Sequence, residues 1–481
     1  MYFINKFIFK NSLILSVLIS LTLAGCLVGP DFEHPVMEPP ETYRFSEEEL
    51  DEIVNLKWWE LFNDPVLVEL VNTALENNID IKIAISRIEE ARAQLKFIGA
   101  DQYPTIDISG GALRGNSLSG QILNDTSNLA FAEGIVNWEL DFWGKFRRAT
   151  ESARADLIST EFAARSVQIS LISEVVNSYF FLLDFHQRLE ISKNTLESRQ
   201  ESLDIIQKRF DEGIINELDL NQAQVQREIA ASAIPINERS IAQTENAIGT
   251  LLGGYPKGIS IDKDLYQQVI PPEIPVGIPA TLVMRRPDIL SALYDLQAQN
   301  AQIGVAEAIR LPAFTISGSA GGAFNEIGSI SSSDFIWSFG AGLFWPLFNW
   351  GKNQARVDVE VARTEQVKLF YENTVINSVR EVSDSLVAID TYKIQLKALD
   401  NQTKAARNAN NISNLRYDQG VTSYLEVLET ERQLFNVELQ RSQATQEYYN
   451  SYVSLYKALG GGWISEEAMN VYDETSGDNT Q

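Results

Sequence analysis

The sequence predicts an α+β membrane protein in which several chains share one β-barrel, each chain giving four strands and two long helical hairpins. Three observations predict it. The chain repeats itself, each repeat holds a very long run without Gly or Pro, and each run follows a segment with strand alternation.

The repeat appears when the 481 residues are slid along themselves by 207. Trp143-Gly144-Lys145 then falls on Trp350-Gly351-Lys352, "RFDEG" on "RYDQG", and Gly253-Gly254 on Gly460-Gly461. Upstream the offset is 208: Asp80-Ile81 meets Asp288-Ile289 and Pro104 meets Pro312, so a loop indel lies between about 110 and 140. Two copies of this length are a duplicated domain rather than a solenoid. The expected segments are 61–254 and 286–459 for the repeats, with 26–60, 255–285 and 460–481 outside them.

Residues 145–212 and 352–419 contain neither Gly nor Pro. As continuous helices they would each be roughly 100 Å long. The first carries Val175, Leu182, Leu189, Leu196, Leu203 and Phe210 at intervals of seven, a coiled-coil seam. The second keeps Val382, Ile389 and Leu396, then places Thr403 and Asn410 on the seam before Tyr417. Gly213 and Gly420 supply left-handed C-terminal caps. A second helix follows each, the first expected to stop near Ile234 because Pro235 comes next. The stretches holding Arg209, Asp211 and Gly213, and Arg416, Asp418 and Gly420, are therefore the tips of two helical hairpins.

Before each "WGK" the period changes from helical to two. Phe335, Trp337, Phe339, Ala341, Leu343 and Trp345 alternate with Ile336, Ser338, Gly340, Gly342 and Phe344, and Val136, Trp138, Leu140 and Phe142 with Asn137, Glu139 and Asp141. With "PTIDISGGAL" and "PAFTISGSAGGA" they make β-hairpins over about 104–142 and 312–348. Strands of about ten residues are expected, joined through "NSLSGQILNDTS" and "NEIGSISSS". Length and alternation fit membrane-spanning strands, and equally a soluble sandwich. If they span, open edges are not tolerated in lipid, and twelve strands from three chains is the simplest closure.

Lys6 and Lys10, an apolar run from Leu13, and small residues before Cys26 form a secretory signal over 1–25. Leu23-Ala24-Gly25-Cys26 resembles a bacterial lipobox, which implies acylation of Cys26 and an anchor in outer-membrane lipid. Composition excludes several chemistries. The net charge is −26, from 39 basic and 65 acidic residues, so nucleic acid is not an expected partner. With His34, His186 and Cys26 as the whole His and Cys complement, neither a zinc site nor thiolate catalysis has material. No cofactor and no enzymatic activity are expected.

At this point the residues carry a family resemblance. "CLVGPDFEHP", "WWELFNDPVLVELVNTALENN", "RRPDI", both "WGK" turns and both Gly-tipped hairpins make the chain similar to the TolC-type outer-membrane efflux lipoproteins of the OprM/NodT branch. The resemblance implies a homotrimer whose 12-stranded outer-membrane barrel continues into a long periplasmic α-helical barrel, with an equatorial domain from the segments outside the repeats. It implies a passive export duct served by a periplasmic adaptor and an inner-membrane pump of the resistance-nodulation-division type. It places a periplasmic aperture at Leu425, Glu429 and Arg432, which spacings of four and three put on one helical face. The first-half equivalents are Leu218, Gln222 and Val225. The tips themselves become the aperture rim and adaptor surface. Two alternatives remain at this stage: Glu429 and Arg432 as a solvated surface pair, and the whole chain as a coiled-coil structural or adhesive lipoprotein without a channel.

Overall fold

The computed structural model describes residues 26–37, 57–118, 121–270, 284–324 and 333–461. The signal segment, residues 38–56, 119–120, 271–283 and 325–332, and the tail from 462 lie outside them, as do the expectations that fall there. The described residues of Met1–Val36, Arg87–Glu161 and Ser291–Glu372 form one compact unit. Those of Met37–Ser86, Phe162–Leu290 and Asn373–Gln481 form another.

The duplication is explicit in the elements. α1 (Pro65–Asn77) leads into α2 (Ile79–Ala100), β1 (Thr105–Leu118), β2 (Gln121–Leu140), α3 (Lys145–Asp211) and α4 (Glu217–Leu251). The second half repeats this as α5 (Pro287–Ala308), β3 (Ala313–Phe324), β4 (Ser333–Phe344), α6 (Lys352–Asp418) and α7 (Tyr424–Ala458). α3 and α6 each have 67 residues, α4 and α7 each 35. Gly253 and Gly460 close the shorter helices alike, each N–H bonding three residues back to Thr250 and Lys457 at 3.0 Å.

Two expectations are corrected. α4 does not stop at Ile234 but runs through Pro235 to Leu251. Buried Ala230, Asn237, Ile241 and Ile248 hold both sides of the proline against the core, and that packing outweighs one missing N–H. The strands exceed ten residues: 14, 20, 12 and 12. Most of "NSLSGQILNDTS" is strand, since β1 and β2 remain paired out to Leu118 opposite Gln121, past an irregularity at Gly115/Ser117. Its polar letters hid the alternation.

In the second unit the core is aromatic. Trp58, Trp59 and Phe62 form a 3-10 turn buried against α1, α3 and α7. Trp58 stacks on Tyr456 at 5.3 Å and Phe180 on Tyr449 at 4.9 Å. Burial pushes the phenols of Tyr179 and Tyr449 well above their ordinary range. α3 also holds a stretch long and apolar enough to cross a membrane, but half of it is buried inside the protein, as in a core helix.

Asp64 organises this core. One carboxylate oxygen accepts the N–H groups of Val66 (2.9 Å) and Leu67 (3.4 Å) and so caps α1. The other accepts the Tyr179 hydroxyl (2.7 Å) and the Gln268 amide (2.8 Å). One buried side chain thus fixes the start of α1, the middle of α3 and the segment beyond α4.

The halves also share a joint whose chemistry differs. Asn78 caps α2 and its amide donates to the Leu251 carbonyl at 2.8 Å. At the equivalent place Arg286 donates to the Ala458 carbonyl at 2.9 Å, and its guanidinium also holds Asp288 and Glu381. Position and target carbonyl persist while the side chain has changed.

Candidate functional site

The four strands form one antiparallel sheet in the order β1-β2-β3-β4, so the hairpins of the two halves are joined at β2 and β3. The register sorts the side chains by face. One row across the sheet is Ile106, Val136, Gly318 and Phe339; the next is Ile108, Gly134, Ala320 and Trp337. Trp138, Ile316 and Ala341 continue the same face. It is apolar throughout these rows and uncovered, with Ile108 90% and Trp337 70% exposed.

The opposite face carries Asp107, Glu133 and Glu139 among Ser, Thr, Asn and Gly, interrupted by Ile135, Ile336 and Phe131. Ser319 and Ser338 share a 2.9 Å hydrogen bond there, and Glu139 accepts from Lys145 at 2.7 Å. A soluble sandwich would cover the apolar face with a second layer. Among the described residues nothing covers this face, which suits contact with lipid, and β1 and β4 are the edge strands of the sheet.

At one end of the sheet the two halves make the same anchoring contact. Trp138 donates its indole N–H to the Gln102 carbonyl (3.0 Å) and Trp345 to that of Arg310 (3.2 Å). Such half-exposed indoles suit a membrane-water boundary. Residues 27–31 run beside the first "WGK" turn as a strap. Val28 N–H bonds the Trp143 carbonyl at 3.2 Å, and Gly144, at φ +77°, lies against Leu27. Buried Arg148 donates to the Val28 and Gly29 carbonyls and holds the Asp31 carboxylate at 2.7 Å. Gly29 sits so close to Gly304 that a Cβ on either would strike the other strand of chain. Exposed Cys26 begins this strap. Neither Arg148 nor Gly304 was singled out from the sequence, because nothing in a helical run marks which side chain will receive a distant segment.

Both hairpin tips lie in the second unit and close by one geometry. Gly213 N–H bonds the Phe210 carbonyl and Ile214 N–H that of Arg209, both at 2.9 Å; Gly420 and Val421 repeat this to Tyr417 and Arg416 at 3.0 and 2.9 Å. Their φ values, +71° and +69°, need glycine. The tips are also tied together. The Arg209 guanidinium lies 3.5 Å from the Asp418 carboxylate and 4.7 Å above the Tyr417 ring. Beneath them Ile206, Leu220, Ala223, Tyr424, Val427 and Leu428 form a small core between the hairpins. Arg416 pairs within its own hairpin with Glu426 at 3.7 Å, and Asp211 accepts from Gln207 at 2.9 Å.

Leu425, Glu429 and Arg432 lie on an exposed face of α7, and Leu218 is equally exposed on α4 while Gln222 is half-buried. Within this chain Arg432 donates to Glu429 at 2.6 Å, and Gln433 donates to the other carboxylate oxygen at 2.8 Å. The Gln433 amide and then the Arg432 guanidinium hold the Glu429 carboxyl below the usual carboxylate range. Any pairing of these two charges across protomers must therefore replace a pair already made along the helix. Among the described residues, no group of three or more His, Cys, Asp or Glu side chains could hold a metal ion.

Comparison with known proteins agrees with this geometry. The profile of the outer membrane efflux protein family matches twice, at residues 70–254 and 279–461, once per repeat. The cation efflux system protein CusC of Escherichia coli O6:H1 is 32% identical over 455 residues, covering 92% of this chain and 97% of that protein. The solvent efflux pump outer membrane protein SrpC of Pseudomonas putida is 35% identical over 461 residues, again 92% and 97%. The solved Campylobacter jejuni CmeC outer membrane channel superposes with a TM-score of 0.83 at 25% identity, covering 94% of this chain and 98% of that one. The chain belongs to the outer membrane efflux protein family: it is one protomer of a trimeric outer-membrane channel of a tripartite efflux system, four of whose twelve barrel strands it supplies.

Proposed function

We propose that this channel receives its cargo from an inner-membrane pump of the resistance-nodulation-division type through a periplasmic adaptor, and that the two hairpin tips of each chain form both the adaptor surface and the closable rim. The observation that carries the duct is the uncovered sheet with one apolar and one acidic-polar face. A water-facing stalk would leave that apolar face in solvent. The relatives' names include both cation and solvent efflux, so we assign cargo choice to the pump. Cys26 is the proposed acylation site, and the strap holds it beside the Trp143 turn. There two or more acyl chains would enter the same leaflet as the barrel.

Single-channel recording of the purified trimer in planar bilayers tests the duct; a folded protein that is monomeric and needs no detergent would overturn it. If the polar face lines the pore, its carboxylates favour cations. Asp107→Asn with Glu133→Gln should then lower the cation-over-anion preference read from reversal potentials in a salt gradient. An unchanged reversal potential would put those carboxylates outside the ion path.

The aperture has its own test. Leu425 projects as an apolar constriction, and Glu429 and Arg432 stand one and two turns further along the same face. Glu429→Ala with Arg432→Ala should raise the resting conductance and let vancomycin into cells that make normal amounts of the variant. Equal conductance and equal vancomycin sensitivity would leave the pair as a solvated surface contact.

A further inference from the structure

Behind the tips, the seam between the two hairpins of one chain holds a buried acid and a buried base that do not meet. Arg199 on α3 is 3% exposed and Glu431 on α7 is 8% exposed. The Arg199 guanidinium lies over the ring of Phe435, one turn along α7 from Glu431, at 5.1 Å. Its Nη1 donates to the Gln226 carbonyl on α4 at 2.6 Å. Its Nε and Nη2 have no hydrogen-bond partner, and neither does Oε2 of Glu431, Oε1 of Gln226 or the Tyr417 hydroxyl. The two charges sense each other: each counters the effect of burial on the other's ionisation. Yet the free nitrogens do not reach the free oxygen.

Leaving buried charged groups without partners is costly, whereas a buried pair with good geometry recovers much of that cost. A seam built only for strength would have apolar residues here. Arg199 falls three residues after Leu196 in the series Leu189, Leu196, Leu203, the other seam position of the heptad, where polar residues set register rather than add stability. On α7, Glu431 lies between Glu429 and Arg432 in sequence but turns inward while they face out. Any rotation or slide of α7 that moves those two residues also moves Glu431 against Arg199.

We infer that Arg199 and Glu431 are the two halves of a charge latch across the seam, apart in the conformation described here and joined in a second packing of the hairpins, so that α7 has two resting positions and the rim it carries has two states. This rests on the reading of the tips as the closable rim. Packed interfaces of this kind hold discrete arrangements rather than deform continuously. The pair gives this one a reason for a second arrangement.

The test records open-to-closed ratios of full-length trimers in planar bilayers for Arg199→Gln, Glu431→Gln, the double substitution, and the exchanged pair Arg199→Glu with Glu431→Arg. Each single change removes the attraction of the joined packing. Each should therefore shift the ratio in the same direction, by roughly 5–150-fold. The double should shift it no further than one single, and the exchanged pair should return it toward the original value. Additive singles, unchanged ratios in assembled trimers, or an exchanged pair that restores nothing would overturn the latch. Should the singles fail to assemble, the exchanged pair decides alone: an assembled trimer with the original ratio supports the latch, and failure to assemble would make the pair a folding requirement instead. Glu429→Ala with Arg432→Ala is recorded alongside. A response there with none in the seam variants rejects the latch and keeps the rim; no response in either rejects both.

Discussion

Arg in place of Ala320 should remove the SDS-resistant trimer from outer-membrane fractions, while Arg in place of Ser319 should leave it. The two positions are neighbours inside β3 and point to opposite faces. Ala320 lies in the row with Ile108, Gly134 and Trp337, on the apolar side. Ser319 bonds Ser338 on the polar side. An arginine facing lipid near mid-membrane costs about 2–4 kcal/mol per chain, and the trimer carries three. Facing water, the same side chain costs little beyond one exposed hydroxyl bond. Heat-modifiability on gels, with total protein held equal, reads both variants. Equal behaviour would mean that the faces have been assigned to the wrong solvents.

Asp64→Ala is expected to be the most destabilising single truncation in the second unit. It removes the cap of α1, a loss of about 0.5–2 kcal/mol. It also leaves the Tyr179 hydroxyl and the Gln268 amide without their shared acceptor inside the core, at about 1–3 kcal/mol each. Asp64→Asn should lose less, because its remaining oxygen can still cap the helix. The readout is the denaturation midpoint of the detergent-solubilised trimer by circular dichroism, with its oligomeric state checked before and after. A midpoint within error of the unchanged protein would show that other groups or water replace the carboxylate.

The parts of this fold legible in the sequence are those with a period or a breaker. Runs free of Gly and Pro became α3 and α6, the glycines at 213 and 420 became the tips, and alternation near "WGK" became β2 and β4. Where a local rule met tertiary packing, the packing won. Pro235 sits inside α4 because the core grips both its sides, and residues 116–118 and 121–127 are strand because β1 and β2 stay paired out to Leu118 and Gln121. The candidate site was half legible. Leu425, Glu429 and Arg432 share a face by spacing alone, but the link from Arg209 to Asp418 joins residues 209 apart in sequence, which no local pattern encodes. Arg199 did carry a signal, a charge at a heptad seam position, although its counterpart on α7 did not. Asn78 and Arg286 occupy one place in the two halves with unlike chemistry, so aligning the repeats by residue identity passes over them.

The sheet's two free edges have a genetic consequence. Each chain can complete its hydrogen bonding only through copies on both sides, so a chain damaged at β1 or β4 spoils the sound chains it assembles with. In a cell making equal amounts of sound and edge-damaged chain, with random mixing, only about one ring in eight contains three sound copies. Loss of the gene merely halves the supply in the same cell. Edge lesions should therefore behave as dominant alleles, and null lesions as recessive ones.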